Sequence, residues 1–133
     1  MQTGIVSYGT YIPKHRIDVQ DIYKVWRNVT PEIFDRMSLR ERAVLMPDED
    51  SITLAVAAAQ IALDRSGLKR EQIGAVLFGS GTNPYATKPA ATVVQDALGL
   101  RKDIIAYDIQ FAGKSGTSAM ITASAFVASG MAD

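Results

Sequence analysis

Ile73-Gly74-Ala75-Val76-Leu77-Phe78-Gly79 is apolar almost without a break and has the length of a strand. Runs of this kind belong to parallel strands covered on both faces, where no position has to meet water. Upstream, Ile52, Val56, Ala59 and Leu63 fall on one helical stripe. Asp48, Glu49, Asp50 and Ser51 put acids and a cap at its start, in keeping with the helix dipole, and Gly67 stops it. Downstream, Ser80 to Lys88 reads as a polar loop containing Gly81, Pro84 and Tyr85. Pro89 opens a helix whose stripe is Ala90, Val93, Val94, Ala97 and Leu98, and Gly99 ends it. Ile104 to Ile109 repeats the strand signature. Phe111-Ala112-Gly113-Lys114-Ser115-Gly116-Thr117 is a tight turn of mostly small residues. The helix that follows, about 115–129, is apolar or small on nearly every face, as in a helix buried inside a protein.

Toward the N-terminus, Gly4-Ile5-Val6-Ser7-Tyr8-Gly9 reads as a buried strand, and Tyr11-Ile12-Pro13 extends the chain. Ile17, Ile22, Val25 and Trp26 share a helix face, with Asp18 as the N-cap. Thr30-Pro31-Glu32-Ile33-Phe34 starts a short helix. Arg40 to Val44 is a short extended piece that Pro47 ends. The order β-α-(loop)-α-β-α-β-α implies a layered α/β fold with a mostly parallel sheet, residues 1–133 forming a single domain.

Composition removes several classes of function. The chain has 133 residues, 14 acids against 14 bases, one His and no Cys, with 47% hydrophobic and 21% charged residues. Such a chain is globular and large enough to bury a core. Without Cys there are no disulfides, thiolate metal sites or cysteine nucleophile from this chain, and one His excludes a His-rich metal centre. The Asp48-Glu49-Asp50 triplet is a helix start rather than a metal site, because adjacent carboxylates there do not converge on one ion. Balanced charge gives no case for nucleic acid. No signal peptide is evident in the first ten residues and no run approaches about 18 strongly apolar residues, so no membrane span and a cytoplasmic setting are expected.

In open α/β sheets ligands meet the carboxyl ends of strands. Two loops qualify, 79–89 and 110–117. Their glycines serve either close helix–strand packing or the approach of backbone amides to a ligand. The second loop leads into a helix whose N-terminus carries partial positive charge, a place that stabilises an oxyanion or lowers a thiol pKa.

Read together, Gly4 to Pro13, Glu41-Arg42-Ala43-Val44 and Pro47 to Ser51 resemble the start of an archaeal-type 3-hydroxy-3-methylglutaryl-CoA synthase. Asn83-Pro84-Tyr85-Ala86-Thr87-Lys88-Pro89-Ala90-Ala91-Thr92 is similar to that family's P-Y-A-x-K-P-x-A-T segment, and Phe111 to Thr117 resembles its F-A-C-K-x-G-T nucleophile motif. The resemblance implies a thiolase-like fold akin to the ketoacyl synthases, in which two α/β halves make a five-layered sandwich. This chain would supply part of the first half, including the helix at the nucleophile position. The implied chemistry is acyl transfer from CoA to a cysteine followed by Claisen-type carbon–carbon bond formation. No further cofactor is implied, acyl-CoA being substrate or ligand. Implied partners are a second copy or a complementary thiolase-fold chain, with a thiolase and a small zinc-ribbon/OB-fold protein beside them.

The departures are specific. Gly113 stands where the family has its acyl-accepting Cys, and Gly81 where it has its catalytic Glu. Covalent acyl transfer and general acid/base catalysis are therefore both vacant at the family positions. The resemblance places the catalytic His in a C-terminal half beyond these residues. The chain spans about a third of the family's length and stops just past the apolar helix, whose surface is expected to need a partner. His15, beside Lys14 and Arg16, reads as a surface residue.

Ser80, Ser115 and Thr117 have no neighbouring base to activate them as replacement nucleophiles. The substrate-binding candidates are Gly113, Ser115, Gly116, Ser80, Asn83 and Tyr85. Backbone amides around Gly113 and Gly116 offer donors to a carbonyl or phosphate oxygen, and Asn83-Pro84-Tyr85 lines a substrate mouth or a dimer contact. Lys14, Arg16, Lys24 and Arg27 read as solvated charges rather than a CoA-phosphate site, and Trp26 with Ile22 and Val25 as packing. Three functions compete: a condensing acyltransferase incomplete in this chain, a non-catalytic acyl-CoA-binding or scaffolding subunit, and a truncated product without activity.

Overall fold

The computed structural model describes residues 3–26 and 31–133. The elements in order are β1 (His15–Asp18), α1 (Val19–Trp26), α2 (Pro31–Arg36), β2 (Glu41–Val44), α3 (Ser51–Ser66), β3 (Ala75–Gly79), α4 (Ala90–Ala97), β4 (Ile105–Ile109) and α5 (Ser115–Ser129). Short 3-10 turns lie at Arg70–Gln72 and Ala112–Lys114. Two compact units result, one of Met1–Tyr11 with Asp50–Asp133 and one of Ile12–Glu49.

The larger unit is built on the parallel pair β3–β4, in register from Ala75 opposite Ile105 to Gly79 opposite Ile109. Its core gathers Ile52, Phe78, Ala90, Ala91, Val94, Leu98 and Leu100. The predicted α3 stripe, Val56, Ala59 and Leu63 after Ile52, packs onto it. α3 begins where the acids predict. The Asp50 carboxylate accepts from the amides of Ile52 (2.9 Å) and Thr53 (2.8 Å), and the Thr53 hydroxyl accepts from the Asp50 amide (2.8 Å). This reciprocal cap satisfies donors that no helical carbonyl reaches. Gly67 ends the helix at φ +69°, a conformation that costs glycine nothing. At the far end of α4, a hydrogen bond and charge from Lys102 hold the Asp96 carboxyl below its ordinary pKa.

The expected strand over Gly4–Gly9 does not form. Residues 3–11 have no ladder partner among the described residues and lie along α3 instead. The Ser7 hydroxyl donates to the Ala62 carbonyl (2.7 Å), and the Arg65 guanidinium donates to the Tyr8 carbonyl (3.1 Å). Gly9 sits so close to α3 that a Cβ there would fall 2.0 Å from the Ala58 oxygen and 2.6 Å from the Ala62 nitrogen. A strand is a property of a pair, and here α3 has taken the segment's contacts, leaving Ile5 and Val6 81% and 73% exposed.

α5 is covered on one side only. Ser115 and Ala119 are buried, and Phe126 meets the Tyr107 ring edge-on at 6.2 Å. Met120 and Ile121 are exposed, because among the described residues only β3, β4 and the turn before it make substantial contact with the helix.

In the smaller unit β1 and β2 pair antiparallel, His15 opposite Val44 and Asp18 opposite Glu41. β2 is the predicted extended piece, and α2 begins at Pro31 as expected, while Thr30 lies outside the described residues. The Asp18 carboxylate accepts from the Gln20 amide (2.7 Å), as an N-cap does. Ile17 is not on the helix: pairing with Arg42 claims it for β1. The predicted packing face is correspondingly thin, with Val19 buried but Val25 and Trp26 exposed.

The close approach at Gly9 makes a direct prediction. Gly9→Ala should lower the unfolding free energy by about 1–3 kcal/mol by overpacking, whereas Gly4→Ala, with nothing within 4 Å of the added Cβ, should leave it within about 0.5 kcal/mol. Urea denaturation of the two variants decides it, and equal midpoints would remove the proposed contact.

Candidate functional site

Both predicted loops leave the carboxyl ends of the parallel strands, and the register brings them side by side. The Ser80 amide donates to the Ile109 carbonyl (3.2 Å), extending the ladder one step past β3. At the end of β3 the backbone of α5 comes into contact. A Cβ on Gly79 would lie 2.6 Å from the Ser115 oxygen and 2.9 Å from the Gly116 Cα. Gly79 thus has a packing reason, and the helix N-terminus is drawn onto the strand end because of it.

Gly81 and the turn before α5 are neighbours: a Cβ on Gly81 would lie 3.3 Å from the Ala112 oxygen. Gly113 faces open space, with nothing within 4 Å of a built Cβ, and so does Gly116. The two positions singled out as vacant are therefore linked through Ala112, which neighbours Gly81 in space and Gly113 in the chain, at the turn before α5. The turn there is strained. Ala112 has φ +40°, in the left-handed region that L-residues adopt at a cost.

The remaining predicted residues have defined roles in this geometry. The Ser115 hydroxyl accepts from the Phe111 amide (2.8 Å) and donates to the Ala112 carbonyl (3.0 Å), and the residue is only 3% exposed. The Ser80 hydroxyl accepts from the Thr82 amide (3.0 Å) and lies 3.3 Å from the Thr82 hydroxyl. The Thr82 carbonyl accepts from Ser51 (2.8 Å), which ties the loop to the N-terminus of α3. Tyr85 and Asn83 line a polar cavity of about 310 Å³ together with Lys88, Tyr107, Asp108 and Gln110.

Asp108 is the residue that sequence reasoning missed. Its carboxylate accepts from the Ala90 (2.7 Å) and Ala91 (2.8 Å) amides at the start of α4 and from the Asn83 side-chain nitrogen (3.0 Å). One acid on β4 thereby caps a helix and pins the 79–89 loop, while Asn83 Oδ1 stays buried without a partner. A lone carboxylate inside the apolar run Ile104–Ile109 was the available signal.

Of the basic residues considered for a phosphate, Lys14, Arg16 and Lys24 lie in the smaller unit. The Arg16 guanidinium donates to the carbonyls of Pro13 and His15. Lys24 pairs with Asp21 at 2.8 Å, and that hydrogen bond raises its ammonium pKa. Arg27 lies outside the described residues.

No protein-family model matches the chain. Individual proteins do. The chain is 47% identical over 128 residues to the hydroxymethylglutaryl-CoA synthase of Archaeoglobus fulgidus, covering 96% of this chain and 37% of that protein. It is 44% identical over 133 residues to that of Methanosarcina barkeri, covering 100% of this chain and 38% of the relative. Among solved structures, MvaS in complex with 3-hydroxy-3-methylglutaryl coenzyme A superposes with a TM-score of 0.83 at 31% identity, over 96% of this chain and 31% of that one. The 3-oxoacyl-[acyl-carrier-protein] synthase III of Aquifex aeolicus superposes with a TM-score of 0.85 at 27% identity, over 97% and 41%. The chain therefore has the thiolase-like fold of the condensing enzymes. Within that class it is a homologue of the archaeal hydroxymethylglutaryl-CoA synthases, and it spans 37–38% of the length of the two relatives just described.

Asp108 gives the site its testable anchor. Asp108→Asn keeps the size but removes the charge-assisted acceptors, and should cost about 1–3 kcal/mol of stability. Asp103→Asn, at an exposed ion pair with Arg101, should cost less than about 1 kcal/mol. Thermal and urea unfolding of the pair provide the comparison, and indistinguishable curves would deny Asp108 this role.

Proposed function

We propose that the chain is a hydroxymethylglutaryl-CoA synthase-like member of the condensing-enzyme class whose crevice binds an acyl-CoA thioester without forming an acyl-enzyme. The observation that carries this reading is the meeting of Gly81 and the Ala112–Gly113 turn at the start of α5. The family resemblance assigns the acyl-accepting thiol to position 113 and the acid/base carboxylate to position 81. With glycine at each, no atom receives the acyl group and none moves the proton of condensation.

Binding chemistry survives that loss. The first amides of a 15-residue helix have no helical acceptors and carry its positive dipole end. Open space at Gly113 and Gly116 leaves room beside those amides for a thioester carbonyl. The acyl-CoA class is supported by the structural neighbour that holds 3-hydroxy-3-methylglutaryl coenzyme A. Transferase activity in the mevalonate route belongs to the same reading and requires the two missing groups from elsewhere.

A second reading concerns association. Phe111, Met120 and Ile121 are 60%, 57% and 62% exposed, an apolar surface that a second copy or a complementary thiolase-fold chain would cover. A thiolase and a zinc-ribbon/OB-fold protein remain partners by resemblance alone. Among the described residues no helix is long and apolar enough to cross a membrane.

Two measurements test the proposal. After incubation with acetyl-CoA, intact mass spectrometry should show no acyl adduct, while calorimetry should show saturable binding of acetyl-CoA. An adduct refutes the non-covalent reading, and absence of binding at millimolar ligand refutes the binding site. Gly113→Cys alone should not restore condensation, because position 81 still lacks an acid; measurable carbon–carbon bond formation by that variant would overturn the assignment of Gly81. For the association reading, light scattering should report an oligomer, and a monodisperse monomer would refute it.

A further inference from the structure

The 111–114 turn holds a backbone conformation that its own residues do not favour. Ala112 sits at φ +40°, a region that L-residues adopt at a cost. Gly113, the residue best suited to unusual dihedrals, is not the one that adopts it. The Lys114 amide closes the turn from within by donating to the Phe111 carbonyl at 2.8 Å, and a second hold comes from the residue that follows it. Ser115 is the group in contact with both ends of the strain: its hydroxyl accepts from the Phe111 amide at 2.8 Å and donates to the Ala112 carbonyl at 3.0 Å. Its own backbone is wedged against β3, where Gly79 leaves only enough room for the Ser115 oxygen. The residue is 3% exposed, so water does not compete for its hydroxyl.

We infer that Ser115 is a positioning residue: its buried hydroxyl locks the Phe111–Lys114 turn so that position 113 opens into free space at the N-terminus of α5. In this role its hydroxyl serves the turn's own backbone rather than a reacting group. It keeps the site's shape in a chain that has glycine where the side chain would stand. The lock itself follows from geometry alone, and only its consequence for acyl-CoA rests on the proposed function.

The absence of cysteine makes the turn directly observable. Gly113→Cys introduces the only thiol in the chain, at a place with nothing within 4 Å of the new Cβ. A thiol held at a helix N-terminus ionises below the ordinary value of about 8.5. The rate of iodoacetamide alkylation is measured against pH for G113C, G113C/S115A and G113C/S115T, with circular dichroism reporting that each is folded. The lock predicts a pH midpoint below about 8.5 in G113C, an upward shift of about one unit on S115A as the turn relaxes away from the helix end, and recovery in S115T, which keeps the hydroxyl. Adding Ala112→Gly should shrink the S115A shift, because glycine takes φ +40° without help. That background also carries the test should G113C/S115A fail to fold. A midpoint unmoved by S115A, or an ordinary thiol midpoint in G113C, overturns the inference. Acetyl-CoA calorimetry on S115A, with Gly113 in place, separates the two claims. Weaker binding supports both. If the unmutated chain binds no acetyl-CoA, the proposed function fails while the thiol profile still decides the lock.

Discussion

The Asp108 carboxylate is the point at which β4, the start of α4 and the 79–89 loop are joined. It leaves β4, caps the first amides of α4 and takes the Asn83 amide, so a strand, a helix and a loop share one anion. A helix start left uncapped beside a buried core would leave donors unsatisfied, and Ala90 and Ala91 are among the most buried residues of the chain. With that end fixed, α4 brings Val94 and Leu98 onto Ile52 and Phe78. The 79–89 loop is then tied at Asn83 by Asp108 and at Thr82 by Ser51.

The site shows a separation between scaffold and reactive groups. The close contact of Gly79 with α5, the ladder step from Ser80 to Ile109 and the strained turn at Ala112 all concern backbone. None of them needs a side chain at position 81 or 113. The shape of the crevice therefore does not depend on which side chain stands at those two positions. Homology over nearly the whole chain, including this turn, is consistent with that separation.

Local signals were legible in the sequence and pairwise ones were not. The start and stop of α3 are legible because Asp50 and Gly67 each act within one turn of a helix end. The β3 and β4 runs were readable because a strand covered on both faces is apolar throughout. The run at Gly4–Gly9 has similar composition, yet it lies along α3, since whether a strand forms depends on an available edge elsewhere. Ile17 reads as helical in the sequence because its pairing with Arg42 leaves no local trace. Asp108 escaped notice for the same reason: its three partners lie 17 to 25 residues away in the chain. Gly81 and Gly113 were each legible by comparison with a motif, but their adjacency belongs to the folded backbone.

That adjacency makes the two vacancies unequal in reversibility. At position 113 a side chain enters empty space, so regaining a thiol there asks nothing of its neighbours. At position 81 a side chain begins 3.3 Å from the Ala112 oxygen, so regaining a carboxylate asks the strained turn to yield first. The two positions are thus unequal as sites of substitution: a residue added at 113 leaves its surroundings as they are, whereas one added at 81 is felt by the backbone across the crevice.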